Sequence, residues 1–312
     1  MAKGVHPQIA AVIAATQALG QPKLVECSVD QARALTVSNA QRLLAKFPAV
    51  NVHKVENIGT EAGTALRVYR PDAADHAPSL VFFHGGGHVM GDLETHDHIC
   101  RSLCVRSGGV IIAVDYPLAP EAPFPAAPLA AFEATEWIAS HAEQLGLDAD
   151  RIVVGGDSAG GNLATVVAIM AEQAGGPYLA GQALIYPVVD YRGGTSTYDQ
   201  FGVGYGVLEA DTVRWFGDHY LPDVDMYDDW RASPHLAPSH SGLPQALMLL
   251  AECDVLHAEG VAYADQLRRA GVTVEQVEFP GMIHAFFNLL GPVDATAQAH
   301  QVVADWLRKV WA

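Results

Sequence analysis

The chain has 312 residues, half of them hydrophobic, which suffices for one large α/β domain with a sizeable buried core. Lys and Arg number 18 against 35 Asp and Glu, and the net charge of −17 argues against nucleic acid or an anionic membrane surface as partner, leaving neutral or cationic small molecules. The cysteines, Cys27, Cys100, Cys104 and Cys253, form no C-x-x-C pair, and the i,i+4 spacing of Cys100 and Cys104 suits neither a metal ribbon nor a redox motif, so they read as reduced thiols of a cytoplasmic protein with no metal site.

Residues 9–15, following Lys3, look superficially like the apolar part of a signal peptide, but the run is short and carries a single charge. Ile9, Val12, Ile13 and Leu19 recur at near-helical spacing, which predicts an amphipathic surface helix. A second, patchier stripe over 29–47 (Ala32, Leu35, Val37, Leu43, Leu44, Phe47) predicts another. No stretch approaches the roughly 18 to 20 apolar residues of a membrane span, so a soluble chain is expected.

After Pro48 the period changes to alternation. Val50, Val52, Val55 and Ile58, then Ala65, Val68 and Tyr69, with Gly59 and Gly63 between them, predict an antiparallel hairpin. The apolar run 78–83 reads as a strand buried on both faces. Further runs at 110–114, 152–154, 183–186, 246–250 and 272–277 alternate with helical patterns near 97–107, 127–145, 163–173, 257–270 and 296–311. That alternation predicts an α/β fold with an about eight-stranded, mostly parallel sheet flanked by helices.

The rhythm breaks once, between 186 and 246, over a stretch far longer than a normal connection. It carries Tyr198, Phe201, Tyr205, Trp215, Phe216 and Tyr220, about half of which are expected to fill a small core of their own. With residues 1–50 it is the candidate cap over an active site. The expected organisation is cap helices at 1–50, a catalytic domain at 51–190, a cap insert at 191–230 and the rest of the catalytic domain at 231–312.

Between the run 152–154 and the following helix stands Gly156-Asp157-Ser158-Ala159-Gly160, a G-x-S-x-G pattern in the strand–turn–helix setting of a nucleophile elbow. Such a turn holds its serine at a strained backbone angle and needs small neighbours, which Gly156 and Gly160 provide. It also sets the Ser158 hydroxyl at a helix N-terminus, where amides favour developing negative charge. A serine needs a base, and the base an orienting carboxylate. In folds with this elbow the order is Ser, acid, His, each in a loop beyond a strand's carboxyl end.

Asp254 follows the strand 247–251, and His284 follows the strand 274–279 across a Pro280-Gly281 turn, with one helix and one strand between the two. Among other histidines, His300 lies inside a helical pattern, His257 opens a helix, and His235 and His240 lie in a Pro-rich loop before the acid. Asp190 competes for the acid's role from the end of another strand; chain order and spacing favour Asp254. Upstream, His84-Gly85-Gly86-Gly87 directly follows a strand and is the HGGG type of oxyanion loop, so the amides of Gly86, Gly87 and Ala159 are the expected oxyanion donors. His84 reads as a loop-fixing residue.

These segments, together with Gly91-Asp92, Asp115-Tyr116, Leu118-Ala119-Pro120-Glu121 and Pro123-Phe124-Pro125-Ala126, resemble the bacterial hormone-sensitive-lipase family of carboxylesterases over residues 45–312. The Gly-Asp-Ser-Ala-Gly form marks one subgroup of that family. The resemblance implies an α/β-hydrolase fold, a cap built from the N-terminal helices and the insert, and a Ser158–His284–Asp254 triad. It also implies hydrolysis of short- to medium-chain esters through an acyl-enzyme without a cofactor, and a homodimer through the last strand. Val89, Phe201, Tyr205, Trp215 and Phe286 are the candidate substrate-pocket residues. Lactone or amide hydrolysis on the same triad, and a dehydratase or ligand-binding role on the same scaffold, are the alternatives; retention of His284 weighs against pure binding.

Two positions depart from the family pattern. Pro117 stands where the family carries an arginine, so the loop after Tyr116 must be held otherwise, and Val255 replaces a proline next to Asp254, which frees the backbone there.

Overall fold

The computed structural model describes residues 4–73 and 75–312; Lys3, the single charge of the N-terminal run, lies outside them. The alternating segment forms β1 (Lys54–Gly59) and β2 (Ala65–Arg70), antiparallel, with Lys54 opposite Arg70 and Gly59 opposite Ala65. The continuous apolar runs form β3 (Ala77–Phe83), β4 (Val110–Asp115), β5 (Leu147–Asp157), β6 (Gly181–Ile185), β7 (Ala246–Cys253) and β8 (Val274–Ile283). They make one eight-stranded sheet in the order β1-β2-β4-β3-β5-β6-β7-β8. β2 meets β4 antiparallel, and from β4 to β8 every pairing is parallel. Burial on both faces explains the unbroken apolar runs: Leu80, Val81, Phe82, Phe83, Ile111, Ile112, Ile152 and Val153 are all buried.

The helices are α1 (Pro7–Ala18), α2 (Val29–Lys46), α3 (Asp97–Ser107), α4 (Ala126–Ser140), α5 (Ala159–Ala174), α6 (Ser196–Phe201), α7 (Ala210–Tyr220), α8 (His257–Arg269) and α9 (Asp294–Trp311). Helix α2 starts at a capping box: the Gln31 amide donates to Ser28 Oγ at 3.3 Å, and the Ser28 amide donates to Gln31 Oε1 at 3.0 Å. In α9 the buried side chains Ala299, Val303, Ala304, Trp306 and Leu307 form the stripe that docks it on the domain. Among the described residues no helix is long and apolar enough to cross a membrane.

Several boundaries differ from the sequence reading. Helix α4 stops at Ser140 and gives way to turns, short of 145. Helix α5 begins at Ala159 rather than 163, because Gly160 and Gly161, poor helix formers by propensity, serve here for close approach to the strands. The expected turn at Pro280-Gly281 is instead part of β8, which runs on to Ile283 with a register irregularity opposite Ala251 and Cys253. β8 ends the strand order, so the missing Pro280 N–H leaves no ladder partner stranded.

The N-terminal helices and the insert meet above the carboxyl ends of the strands. The His6 amide donates to Gly281 O at 2.9 Å, Ile9 is fully buried, and Lys23 Nζ lies 3.0 Å from Glu209 Oε2 just before α7.

Candidate active site

β5 ends at Asp157 and α5 begins at Ala159, leaving Ser158 alone between them with φ 57° and ψ −117°. This is a backbone region L-residues avoid, held here by neighbours that admit no side chain. A β-carbon on either Gly156 or Gly160 would run into the Phe83 carbonyl. The Ser158 amide donates to Ile185 O at 2.8 Å, and Asn162 Nδ2 donates to Val188 O and Ala232 O, fixing the first turn of α5.

β8 delivers His284 to this serine. Its Nε2 lies 2.8 Å from Ser158 Oγ and its Nδ1 2.6 Å from Asp254 Oδ2, with both partners of the second pair buried. The other oxygen of Asp254 accepts from the Leu256 amide at 2.9 Å, and Thr197 Oγ1, on α6, donates to Val255 O at 2.6 Å. Those bonds hold the turn in which Val255 replaces a proline.

The rival residues are elsewhere. Asp190 pairs with Arg192 at 2.9 Å, His257 with Glu278 at 2.6 Å, His235 lies on Val189 O, and His240 on Pro234 O. His300 is buried between Ser102 and Phe287 O, and burial pushes its imidazole down to about 3.

The loop after β3 turns sharply, with the Val89 and Met90 amides both donating to Gly86 O. Gly86 has φ +121° and Gly87 φ +63°; a β-carbon would strike the Met90 carbonyl at the first and the Phe216 ring at the second. The Ala159 amide opens α5, where no intrahelical acceptor exists for it. His84 supports this loop: its Nδ1 is 2.8 Å from Gly85 O, the Tyr116 hydroxyl donates to His84 O at 2.7 Å, and the two rings stack at 4.3 Å. Burial, aided by the neighbouring His96, pushes the His84 imidazole down to about 4, which keeps it neutral.

Several residues that position the site escaped the sequence reading. Asp157 is buried beside the serine, accepts from the Gly85 amide at 2.9 Å, lies 3.3 Å from His96 Nε2 and accepts from Asn288 Nδ2 at 3.4 Å. Burial alone would raise its pKa, but the interaction with His96 and the hydrogen bond from the Gly85 amide outweigh it and hold the carboxyl below the usual range. One carboxylate thus ties together the elbow, the glycine loop and the segment after His284. Its acidic place inside the G-x-S-x-G pattern was the available signal. The loop carrying Pro117 is held by the Ala119 amide on His88 O at 2.9 Å and by Arg33 of α2, which donates to Ala119 O at 2.9 Å.

The candidate pocket residues divide. Phe201 and Tyr205 meet edge-on at 5.1 Å, and Trp215 lies against Phe216 and His219. Val89 and Phe286 are fully buried, Phe286 against Tyr186 and Phe279. The ring that meets the glycine loop is Phe216 of α7, the neighbour of Trp215. Among the described residues no His, Cys, Asp or Glu cluster is arranged to hold a metal ion.

A strained serine at a strand–helix junction, in line with a histidine and a buried carboxylate, places the molecule among the α/β hydrolases. The α/β hydrolase fold family model matches residues 80–288, and the chain belongs to that family, in its hormone-sensitive-lipase-like branch of carboxylic ester hydrolases. It is 40% identical over 250 residues to an ethyl acetate hydrolase of Pseudomonas putida, covering 78% of each chain. It is 38% identical over 238 residues to carboxylesterase NlhH of Mycobacterium tuberculosis, covering 75% of this chain and 74% of that one. Among solved structures, a hyperthermophilic esterase from the archaeon Pyrobaculum calidifontis superposes with a TM-score of 0.94 at 37% identity over 98% of both chains. A thermostable esterase from Pseudomonas putida does so with a TM-score of 0.93 at 37% identity over 100% of this chain and 99% of that one.

Proposed function

We propose that this carboxylesterase works through Ser158 as nucleophile, His284 as general base and acid, and Asp254 as the group that orients His284. The reading is carried by one observation, the continuous line from Ser158 Oγ through the His284 ring to Asp254 at 2.8 and 2.6 Å. In the first half-reaction the Ser158 Oγ attacks the ester carbonyl carbon while its proton passes to Nε2 of His284. Negative charge on the carbonyl oxygen is met by the amides of Gly86, Gly87 and Ala159, one such donor being worth about 2.7–4 kcal/mol to a transition state of this kind. The C–O bond to the alcohol then breaks as His284 returns the proton to the leaving oxygen. Water, deprotonated by the same nitrogen, releases the acid from the acyl-enzyme and regenerates Ser158.

The substrates are short- to medium-chain esters, a reading supported by the ethyl acetate hydrolase among the relatives and by the Phe216 ring lying over Gly87. Residues 1–50 and 191–230 act as the cap. The protein works in the cytoplasm, in keeping with four buried free thiols, and pairs as a homodimer through β8. Turnover of p-nitrophenyl butyrate by the wild type and by Ser158→Ala tests the mechanism: loss of at least a thousandfold is expected, and equal rates would overturn it.

A further inference from the structure

We propose that Arg33, on helix α2, is a positioning residue for the oxyanion loop, an inference that rests on the mechanism above. The N-terminal cap helix would then contribute to catalysis itself as well as covering the site.

The guanidinium spans two pieces of chain. Its Nε donates to Val89 O at 2.8 Å and its Nη2 to Ala119 O at 2.9 Å, while Nη1 and Nη2 grip the two carboxylate oxygens of Glu121 at 2.8 and 2.7 Å. Val89 and Ala119 are fully buried, so these carbonyls have little access to water. Hydrogen bonds from a charged donor are among the stronger ties available, and the planar fork fixes direction as well as distance.

The loop needs such ties. Gly87 and His88 both sit at positive φ, +63° and +59°, an uncommon angle for a residue that carries a side chain. Because the Val89 and Met90 amides both donate to Gly86 O, a shift of the Val89 peptide passes directly to the Gly86–Gly87 peptide. The Ala119 amide donates to His88 O, so Arg33 closes a knot in which residues 88, 89 and 119 hold one another. Thr36, one turn further along α2, places its hydroxyl 3.6 Å from Met90 Sδ on the same loop. Pro117 offers this region no side-chain donor; the donor arrives from α2 instead.

The test compares Arg33→Met, which keeps an unbranched apolar stem, Arg33→Lys, which keeps the charge without the fork, and Glu121→Gln, which spares both carbonyl bonds. Rates on p-nitrophenyl butyrate are expressed per active site titrated with a serine-directed phosphonate. Arg33→Met should lower kcat about tenfold with KM changed less than threefold, Arg33→Lys should recover part of that loss, and Glu121→Gln should lose less than threefold, since small displacements of catalytic groups act on the chemical step. Wild-type kcat in Arg33→Met, or an equal loss in Glu121→Gln, would overturn the proposal. If Arg33→Met does not fold, Arg33→Lys against Glu121→Gln decides: a larger loss in the lysine variant supports it, and equal losses overturn it. An inactive Ser158→Ala beside a fully active Arg33→Met defeats the Arg33 role alone, whereas an active Ser158→Ala defeats the mechanism beneath it.

Discussion

The ring of Phe216 lies over Gly87 so closely that a β-carbon on the glycine would overlap it. Helix α7 and the glycine loop are thereby in direct contact through an aromatic side chain. Phe216→Ala should open space beside that loop. The ratio of kcat/KM for p-nitrophenyl octanoate to that for the butyrate is expected to rise about tenfold, the scale that lost or gained pocket volume sets in hydrophobic sites. Thermal melting should fall as well, since deleting a buried phenyl ring costs about 3–5 kcal/mol. An unchanged ratio would mean that the ring bounds no part of the substrate space.

The acid turn gives a graded series. Asp254→Asn keeps the shape but leaves His284 Nδ1 without an anionic partner, and kcat should drop by about 10⁴. Thr197→Val removes the donor to Val255 O and the acceptor of the Ala258 amide, loosening the same turn from outside. Its expected loss is only several-fold in kcat with KM little changed. A Thr197→Val enzyme as impaired as Asp254→Asn would mean that the turn itself, rather than the charge, dominates.

What could be read from the sequence follows from which interactions are local. The elbow, the glycine loop, the strands beyond β2 and the positions of Asp254 and His284 are written in contiguous patterns, because each is a short segment whose backbone demands particular residue types. Arg33 carries no such mark: its partners Val89, Ala119 and Glu121 lie far along the chain, and an arginine on a helix reads as a solvated charge until the fold brings them together. The same holds for Phe216 over Trp215, since both are aromatic, adjacent, and distinguished only by the face of α7 that turns to Gly87. Pro280-Gly281 was misread because a strand with one open edge tolerates a pair that breaks an interior strand.

β8 closes the strand order, and Val274 and Val277 on it are only partly buried. An open edge strand invites pairing with another strand. Light scattering after size exclusion should give twice the 33.2 kDa chain mass, and Val277→Lys should shift it to the monomer without loss of the fold. A wild type that runs as a monomer at micromolar concentration would remove β8 as a dimer contact.

Two sets of buried groups should bend the stability curve in opposite directions. Burial pushes His84 down to about 4, and His88 and His300 to about 3, below the ordinary histidine value of about 6.5. The unfolded chain binds protons at these positions first, so the stability they contribute is complete above about pH 6.5 and is lost progressively as pH falls toward 3 to 4. Glu259 behaves in reverse. It is buried, its Oε1 accepts from the Val189 and Asp190 amides, and burial lifts its carboxyl well above the usual range despite those bonds. Its contribution is complete below about pH 4.5, the ordinary carboxyl value, and is lost as pH rises through the raised value. Glu259→Gln retains an oxygen for both amides and cannot ionise, so its melting temperature should exceed that of the wild type at pH 8 by a few degrees and match it near pH 5. His88→Phe keeps the stack on Tyr220, whose ring lies 4.0 Å from that of His88, and should flatten the fall in melting temperature between pH 7 and pH 5. Melting curves for both variants that run parallel to the wild type across pH 5 to 8 would show that neither group is held in its neutral form by the fold.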